Sequence, residues 1–183
     1  LGFGYISSCL KKEIKDIEIY FSHIGNIKQL EEKLEKIKPD LIGISSVTQN
    51  YNTAIEISKE CRKKGVDVII GGAHISSLPE TLDSSMNVGV IREGEITTSE
   101  LIKSFKKNNG WNVDELKNIN GLIFLNDVDL IKTESRLPIE NLDDLPFPDR
   151  SIIKVDPSGA LIITSRGCPY NCSFCATKKL WKS

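Results

Sequence analysis

The sequence lacks the features of a membrane protein or a nucleic-acid-binding protein. Its 183 residues contain no apolar run long enough to span a bilayer. The 24 basic and 25 acidic residues leave a net charge of −1, so no overall field attracts nucleic acid or an anionic membrane. We therefore expect neither a membrane nor a nucleic acid as a partner.

What the sequence does have is a group of three cysteines near its C-terminal end. Cys168, Cys172 and Cys175 follow an apolar run at 160–165 that is typical of a buried strand. Thiolates at this spacing can converge on an iron–sulfur cluster, and three ligands on a four-iron cluster leave one iron open. Zinc is the first alternative, although it needs a fourth protein ligand and residues 176–183 contain neither Cys nor His. A disulfide is the second alternative, but such close spacing in a reduced compartment favours metal or redox chemistry.

Upstream of these cysteines, short apolar runs alternate with amphipathic helical patterns. The predicted strands lie at 17–21, 41–45, 66–70 and 88–91, and the predicted helices at 26–37, 51–64 and 95–107. This alternation predicts right-handed crossovers and a parallel sheet, and therefore a doubly wound α/β domain. Cys9 and Cys61 fall on apolar helix faces, so we expect both in the core.

The pattern changes after residue 107. Two apolar runs at 122–125 and 130–133 flank a polar turn and predict a β-hairpin. A stretch rich in Pro and Asp follows, and its prolines favour an extended chain. We therefore divide the chain into an α/β domain at 1–136, a linker at 137–158 and the start of a second domain at 159–183.

Three loops of small and polar residues follow the predicted strands. The carboxyl ends of parallel strands form the ligand-binding edge of such a sheet. The candidate ligand contacts in these loops are Ser45, Ser46, Thr48, Gly71, Gly72, His74, Glu93 and Gly94. Paired glycines permit close backbone approach, and the hydroxyls offer hydrogen bonds. A tight turn, helix caps and a surface imidazole at His74 are the ordinary alternatives. The coincidence of three such loops at one edge favours a binding site.

The cysteine spacing, with Phe174 just before the third cysteine, resembles the signature of the radical S-adenosylmethionine enzymes. The resemblance implies that Cys168, Cys172 and Cys175 hold a 4Fe-4S cluster. It also implies that S-adenosylmethionine binds the open iron, with Phe174 against its adenine. An electron from the cluster then splits S-adenosylmethionine, and the resulting radical takes a hydrogen atom from a small-molecule substrate. The electron comes from an external donor such as flavodoxin or ferredoxin.

The stretches 39–45, 71–80 and 93–95 are similar to the cobalamin-binding domain that precedes many of these enzymes. This resemblance implies a flavodoxin-like, Rossmann-type domain whose loop residues contact cobalamin. The implied cobalamin contacts are the eight candidates Ser45, Ser46, Thr48, Gly71, Gly72, His74, Glu93 and Gly94. Residues 159–183 would then begin a radical S-adenosylmethionine β/α barrel, whose cluster loop follows the first strand at the carboxyl face.

Related corrinoid proteins carry an Asp-x-His-x-x-Gly motif after their first strand. Gly2 falls about where the last residue of that motif would lie, so we expect the first strand and the lower cobalt ligand upstream of Leu1. The expected sheet order is 2-1-3-4-5, with the first strand missing. We expect an N-terminal fragment that is inactive and poorly stable by itself.

The first hypothesis is that the parent is a cobalamin-dependent radical enzyme that transfers a methyl group to an unactivated carbon or phosphorus. Ring formation or rearrangement is an alternative reaction, and a corrinoid-free scaffold is an alternative role for the domain. A zinc-stabilised, non-catalytic binding protein is the alternative of another class. A cytoplasmic location is expected, because an exposed cluster would be lost in an oxidising compartment. The sequence assigns no catalytic acid, base or substrate contact.

Overall fold

In a computed structural model, which describes residues 1–152, 159 and 161–181, the chain forms two compact units. The unit that contains the sheet, here the sheet unit, comprises Ser22–Arg92 and Asn120–Ser135. The other, here the helical unit, comprises Leu1–Phe21, Glu93–Ile119 and the described residues from Arg136 onwards.

The described residues form seven α-helices and five strands, together with three short 3-10 turns. The helices are α1 (Gly2–Glu13), α2 (Ile27–Ile37), α3 (Tyr51–Lys63), α4 (Ala73–Ser77), α5 (Gly94–Asn108), α6 (Val113–Leu116) and α7 (Thr177–Leu180). The strands are β1 (Leu41–Ser45), β2 (Asp67–Gly71), β3 (Val88–Val90), β4 (Leu122–Asn126) and β5 (Asp129–Lys132). The 3-10 turns are Thr48–Asn50, Pro79–Thr81 and Leu142–Asp144. Helices α2, α3 and α5 confirm the three helices predicted from periodicity. Among the described residues, no helix combines the length and the apolar character that crossing a bilayer requires.

All five strands join one sheet in the sheet unit, in the order β1-β2-β3-β4-β5. Strands β1, β2 and β3 are parallel neighbours, whereas β4 pairs antiparallel with β3 and with β5. The parallel part matches the third to fifth strands of the expected order, which lie side by side in that topology. The antiparallel pair β4–β5 confirms the predicted hairpin, which extends the edge of the sheet.

Capping residues in the sequence determine where helix α2 begins and ends. The side chain of Asn26 accepts a hydrogen bond of 3.0 Å from the backbone N–H of Gln29 and so caps the first turn. Lys38 adopts a left-handed conformation with φ 49° and ends the helix before Pro39. Its apolar face is buried in the core of the sheet unit.

The core of the sheet unit lies between the inner strands and helices α2, α3 and α4. Its buried members are Leu30, Leu34, Tyr51, Ala54, Cys61, Val68, Ile70, Ile75, Leu82, Met86, Ile91 and Ile123. Cys61 is fully buried, as predicted. Packing is tight around β3, since a Cβ atom on Gly89 would lie 2.6 Å from Cγ2 of Ile123. A side chain at this position would therefore separate β3 from β4.

The helical unit is built on the packing of α1 against α5. A Cβ atom on Gly94 would lie 3.3 Å from Cδ1 of Ile6, so the two helices approach closely at the start of α5. Cys9 is buried on the inner face of α1, which confirms the second core prediction for a cysteine. At the other end of the pair, Lys103 donates a hydrogen bond to the carboxylate of Glu13.

The described part of the predicted linker is anchored to α1 within the helical unit. Asp149 accepts hydrogen bonds from Ser7 Oγ at 2.8 Å and from Lys11 Nζ at 2.6 Å. The backbone N–H of Asp149 donates to the carbonyl oxygen of Gly4 at 2.9 Å. The ammonium of Lys11, followed by the hydroxyl of Ser151, holds the pKa of Asp149 well below its usual range. Residues 153–158 of the linker lie outside the described residues.

Two predicted strands are absent from the described residues. Residues 17–21 form no strand and are not part of the described sheet, which consists of β1 to β5. Residues 161–165 also form no strand, and residue 160 lies outside the described residues. Leu161 and Ile162 are 76% and 66% exposed, so the interpretation of this run as a buried strand is wrong for its described part. The domain boundaries at 1–136, 137–158 and 159–183 stay predictions.

Candidate cofactor site

The loops after β1 and β2 meet at one edge of the sheet unit. Ser45 ends β1 and Gly71 ends β2, and the two residues are partners in the parallel register. The next residue, Ser46, donates its backbone N–H to the carbonyl oxygen of Gly71 at 3.0 Å. The carbonyl oxygen of Ser46 accepts from the N–H of His74 at 3.2 Å. The structure therefore confirms that these two predicted loops share an edge.

Gly72 is required by the conformation of the second loop and by its contact with the first. Its φ is +99°, in the region that favours glycine. A Cβ atom here would lie 2.5 Å from the carbonyl oxygen of Ser46 and 2.9 Å from Oγ of Ser45. Gly71 is less constrained, since its Cβ atom would lie 3.8 Å from the nearest atom, the carbonyl oxygen of Val90. The close approach at Gly72 is thus to the neighbouring loop itself.

The hydroxyl of Ser46 is a buried polar group without a partner in the described part of the chain. Ser46 is 2% exposed, and its Oγ accepts or donates no hydrogen bond there. An unsatisfied buried hydroxyl costs about 1–3 kcal/mol, so such groups are rare and call for an explanation. By contrast, the neighbouring Ser45 is exposed. A bound polar ligand at this edge would satisfy the Ser46 hydroxyl.

His74 is buried and fixed on three sides within the sheet unit. Its Nδ1 lies 3.1 Å from Oγ1 of Thr48 and its Nε2 lies 3.0 Å from Oγ1 of Thr81. The ring stacks on Tyr51 with 3.8 Å between centroids. The alternative of a surface imidazole is therefore wrong, because His74 is only 5% exposed.

Sequence reasoning missed Tyr51 and Thr81 as members of this site. Tyr51 begins α3 and Thr81 ends the 3-10 turn after α4, so neither lies in the loops that the sequence predicts to bind a ligand. The hydroxyl of Tyr51 donates to the carbonyl oxygen of Thr81 at 2.5 Å, which closes the ring of contacts around His74. His74 and Tyr51 thus hold the loop of Thr48 and the turn of Thr81 together.

The other two predicted cobalamin contacts, Glu93 and Gly94, belong to the helical unit at the start of α5. One carboxylate oxygen of Glu93 accepts from Nη1 of Arg166 at 2.7 Å. The other accepts from the backbone N–H of Ile139 at 2.7 Å. Both oxygens of Glu93 are therefore already engaged, and its contact with cobalamin stays a prediction, as does that of Gly94.

Arg166, just before the first cysteine of the group, is the main site residue that sequence reasoning missed. Its Nη2 donates to Oε1 of Glu95 at 2.5 Å, in addition to the bond with Glu93. Burial alone would lower the pKa of Arg166, but the bonds to Glu95 and Glu93 outweigh it and raise that pKa. No local motif marks this ion pair, because its partners lie more than 70 positions away in the sequence.

The three predicted cluster ligands are free thiols in the helical unit. Cys168 is partly buried, whereas Cys172 and Cys175 are exposed. The backbone N–H of Cys175 donates to the carbonyl oxygen of Cys172 at 3.1 Å. A hydrogen bond with Thr177 lowers the pKa of the Cys175 thiol. Among the described residues, no three His, Cys, Asp or Glu side chains are gathered closely enough to hold a metal ion, so the 4Fe-4S site stays a prediction.

A comparison with known families settles the class of this chain. Residues 1–116 match the B12 binding domain family. The chain belongs to the B12 binding domain family. The match covers the whole sheet-edge site of Ser46, Gly72 and His74, and it extends through Glu93 and Gly94 at the start of α5.

Curated relatives of this chain are longer. An uncharacterized methyltransferase of Pyrococcus horikoshii is 30% identical over all of this chain and 42% of its own length. The anaerobic magnesium-protoporphyrin IX monomethyl ester cyclase of Cereibacter sphaeroides is 27% identical over 98% of the chain and 31% of its own length. The bacteriochlorophyllide d C-8(2)-methyltransferase of Chlorobaculum tepidum is 28% identical over 75% of the chain and 28% of its own length. The chain thus spans less than half of each relative, and together these matches confirm the predicted family, the cobalamin-binding radical S-adenosylmethionine proteins.

The edge of the sheet unit fits a polar cofactor. The hydroxyl of Ser46, which has no partner among the described residues, and the exposed hydroxyl of Ser45 lie at the carboxyl ends of parallel strands, where such folds bind ligands. Gly72 brings the two loops into contact without a side chain between them. The three thiols likewise fit an iron–sulfur cluster by their chemistry, since all are free and two are exposed.

Proposed function

We propose that this chain binds cobalamin at the edge formed by Ser46 and Gly72 and holds a 4Fe-4S cluster with Cys168, Cys172 and Cys175. It is part of an enzyme that transfers a methyl group to an unactivated atom of a small molecule. The observation that carries the proposal is the buried Ser46 hydroxyl, which has no partner in the described part of the chain and lies at the ligand edge of a B12 binding domain. When bound, cobalamin supplies a cobalt that carries a methyl group, and the cluster supplies the electron that cleaves S-adenosylmethionine.

The residues at the sheet edge bind and orient the cofactor. Ser46 Oγ donates a hydrogen bond to a polar atom of the corrinoid or of its nucleotide tail, and Ser45 adds a second hydroxyl. Gly72 lets its loop pack directly against Ser45 and Ser46, which fixes the backbone that carries both hydroxyls. His74 keeps Thr48 at a fixed distance from the turn at Thr81, so the rim of the site is rigid before the cofactor arrives.

The cysteine loop provides the second cofactor site. Its three thiols would hold a four-iron cluster by three of its irons, and the open iron would bind S-adenosylmethionine. Phe174 is 91% exposed, so its ring is free to lie against the adenine. An external electron donor such as flavodoxin or ferredoxin reduces the cluster. Because an exposed cluster survives only where oxidants are scarce, we place the protein in the cytoplasm.

Methyl transfer is the first candidate reaction and ring formation is the second. Two of the three relatives described above are methyltransferases by name, and the third is a cyclase. The matches to the Pyrococcus methyltransferase and to the cyclase cover 100% and 98% of this chain and so include nearly all of residues 1–116. The two reactions therefore make the same demand on the residues described here, namely that cobalamin binds beside Ser46.

The deciding experiment measures iron, sulfide, cobalt and zinc per chain in the anaerobically purified full-length protein supplied with cobalamin. About four irons and one cobalt are the expected result. Iron without cobalt would favour the corrinoid-free scaffold, and zinc without iron would overturn both cofactor assignments. A label in the methyl group of S-adenosylmethionine then separates the two reactions, because only methyl transfer carries it into the product.

A further inference from the structure

The interior of the helical unit contains a charged cluster that binding of cobalamin or iron does not by itself explain. Arg166 lies two positions before Cys168, and its side chain is only 10% exposed. The carboxylates of Glu93 and Glu95, each 7% exposed, face it from the start of α5. Buried charges of this kind are retained only where every partner is in place, because desolvation makes an unpaired one very costly.

The guanidinium of Arg166 is held by several segments at once. Nη1 and Nη2 each bind a different carboxylate, at 2.7 Å to Glu93 and 2.5 Å to Glu95. Its central carbon lies 5.7 Å from the ring centroid of Tyr5 on α1 and 5.6 Å from that of Trp181, just after α7. Arg166, which precedes the cysteine loop, is therefore in contact with Trp181, which follows it.

Two further observations connect this cluster to the loop. Gly167, between Arg166 and Cys168, has φ +83°, so the chain turns sharply where it leaves the fixed guanidinium. The Nε of Arg166 is buried without an acceptor among the described residues. The Nε–H of Arg166 is thus available to donate a hydrogen bond when the loop binds its cluster.

We propose that Arg166 is a positioning residue for the cluster loop and is held in place by Glu93 and Glu95. Its Nε–H donates a hydrogen bond to the loop when the cluster is bound. The proposal rests on the proposed 4Fe-4S site. The planar fork is essential to this role, because it directs separate nitrogens at two carboxylates and at a third group, whereas a lysine ammonium is a single point charge. Glu93 and Glu95 therefore act on the cluster through Arg166, with no contact to iron of their own.

The test compares Arg166→Lys and Glu95→Gln with Arg136→Lys in the anaerobically reconstituted full-length protein. Arg136 is a matched control, since its side chain also binds α5, through Thr97 and Glu100. The first measurement is the rate at which an iron chelator removes the cluster. The second is the electron paramagnetic resonance spectrum of the reduced cluster with and without S-adenosylmethionine. Both report on the cluster independently of turnover.

We expect Arg166→Lys and Glu95→Gln to lose iron about tenfold faster than the wild type, as is typical when a group supporting a metal ligand is removed. The spectral change caused by S-adenosylmethionine should also be altered per remaining cluster, whereas Arg136→Lys should match the wild type in both measurements. If Arg166→Lys does not fold, Glu95→Gln decides, because it keeps the shape and removes a single charge. Equal rates and spectra in all variants would overturn the proposal. A wild type without iron would instead overturn the cluster assignment itself.

Discussion

Gly72 and Ser46 lie so close together that a Cβ atom on Gly72 would stand 2.5 Å from the carbonyl oxygen of Ser46. The loops after β1 and β2 therefore pack directly against each other, and they can do so because residue 72 has no side chain. This contact fixes the backbone of Ser46, whose hydroxyl is the group without a partner in the described residues. The shape of the candidate cobalamin site thus depends on a glycine that need not touch the cofactor.

Replacing Gly72 by Ala is expected to destabilise the protein more than replacing Gly65 by Ala. Both residues have positive φ, +99° and +75°, but a Cβ atom on Gly65 would meet nothing within 4 Å. Gly65→Ala should cost about 1–2 kcal/mol of backbone strain. Gly72→Ala adds the overlap with Ser46 to a strain of about 1–3 kcal/mol. Urea denaturation measures both free energies of unfolding. Equal losses of stability in the two variants would show that the contact with Ser46 does not contribute to stability.

Ser46→Ala is expected to weaken cobalamin binding without lowering stability. The mutation removes a buried hydroxyl that has no partner in the described structure, so the free energy of unfolding should stay the same or rise slightly. The loss of one hydrogen bond of about 1 kcal/mol to the cofactor should raise the dissociation constant roughly fivefold. Spectroscopic titration with cobalamin measures that constant.

Ser58→Ala is the matched control for Ser46→Ala. Ser58 is also buried, but its hydroxyl donates to the carbonyl oxygen of Ile55 at 2.8 Å and contacts Oγ of Ser85. This variant should lose about 1–3 kcal/mol of stability and keep the cobalamin affinity of the wild type. The assignment of Ser46 fails if its variant binds cobalamin as tightly as the Ser58 variant does.

The sequence predicts the parts of this fold that depend on local patterns. Periodicity located α2, α3 and α5, and the order of strands and helices predicted the parallel neighbours β1, β2 and β3. It also placed Ser46 and Gly72 at one edge, because parallel strands end on the same side of a sheet. The run at 17–21 has the alternation of a strand but forms none, since strand formation depends on a neighbour that local pattern does not reveal.

The sequence alone does not reveal contacts between residues that lie far apart along the chain. The burial of His74 depends on Tyr51 and Thr81, which come from α3 and from a turn after α4. The ion pairs of Arg166 join residues that lie 73 and 71 positions apart. Taken alone, Tyr51, Thr81 and Arg166 carry no local pattern that marks them as part of a site. Only the fold shows that His74 belongs to one buried cluster in the sheet unit and that Arg166 belongs to another in the helical unit.

The cysteines are expected to fall into two classes of reactivity in the cluster-free protein. Burial raises the pKa of the Cys9 and Cys61 thiols to about 11, so both stay protonated at pH 8 and should react only when the protein unfolds. Cys172 and Cys175 are exposed and should react quickly with iodoacetamide. Peptide mapping by mass spectrometry measures the rate at each position, and denaturant should abolish the difference. Labelling of Cys61 at the rate of Cys172 would contradict the structure.

Acid is expected to remove a stabilising contribution from Glu115. Its carboxylate accepts hydrogen bonds from Lys107, Ser104 and Asn108, which lower its pKa from 4.5 to about 2, with Lys107 the largest cause. Because the folded pKa lies below the unfolded one, this contribution is present above about pH 4.5 and is lost as the pH falls towards 2. Glu115→Gln should therefore be less stable than the wild type at pH 6, and the difference should vanish near pH 2. Chemical denaturation across this range measures it, with Asp114→Asn as a control at a neighbouring carboxylate that is 94% exposed. A difference that does not change with pH would show that the charge of Glu115 contributes nothing.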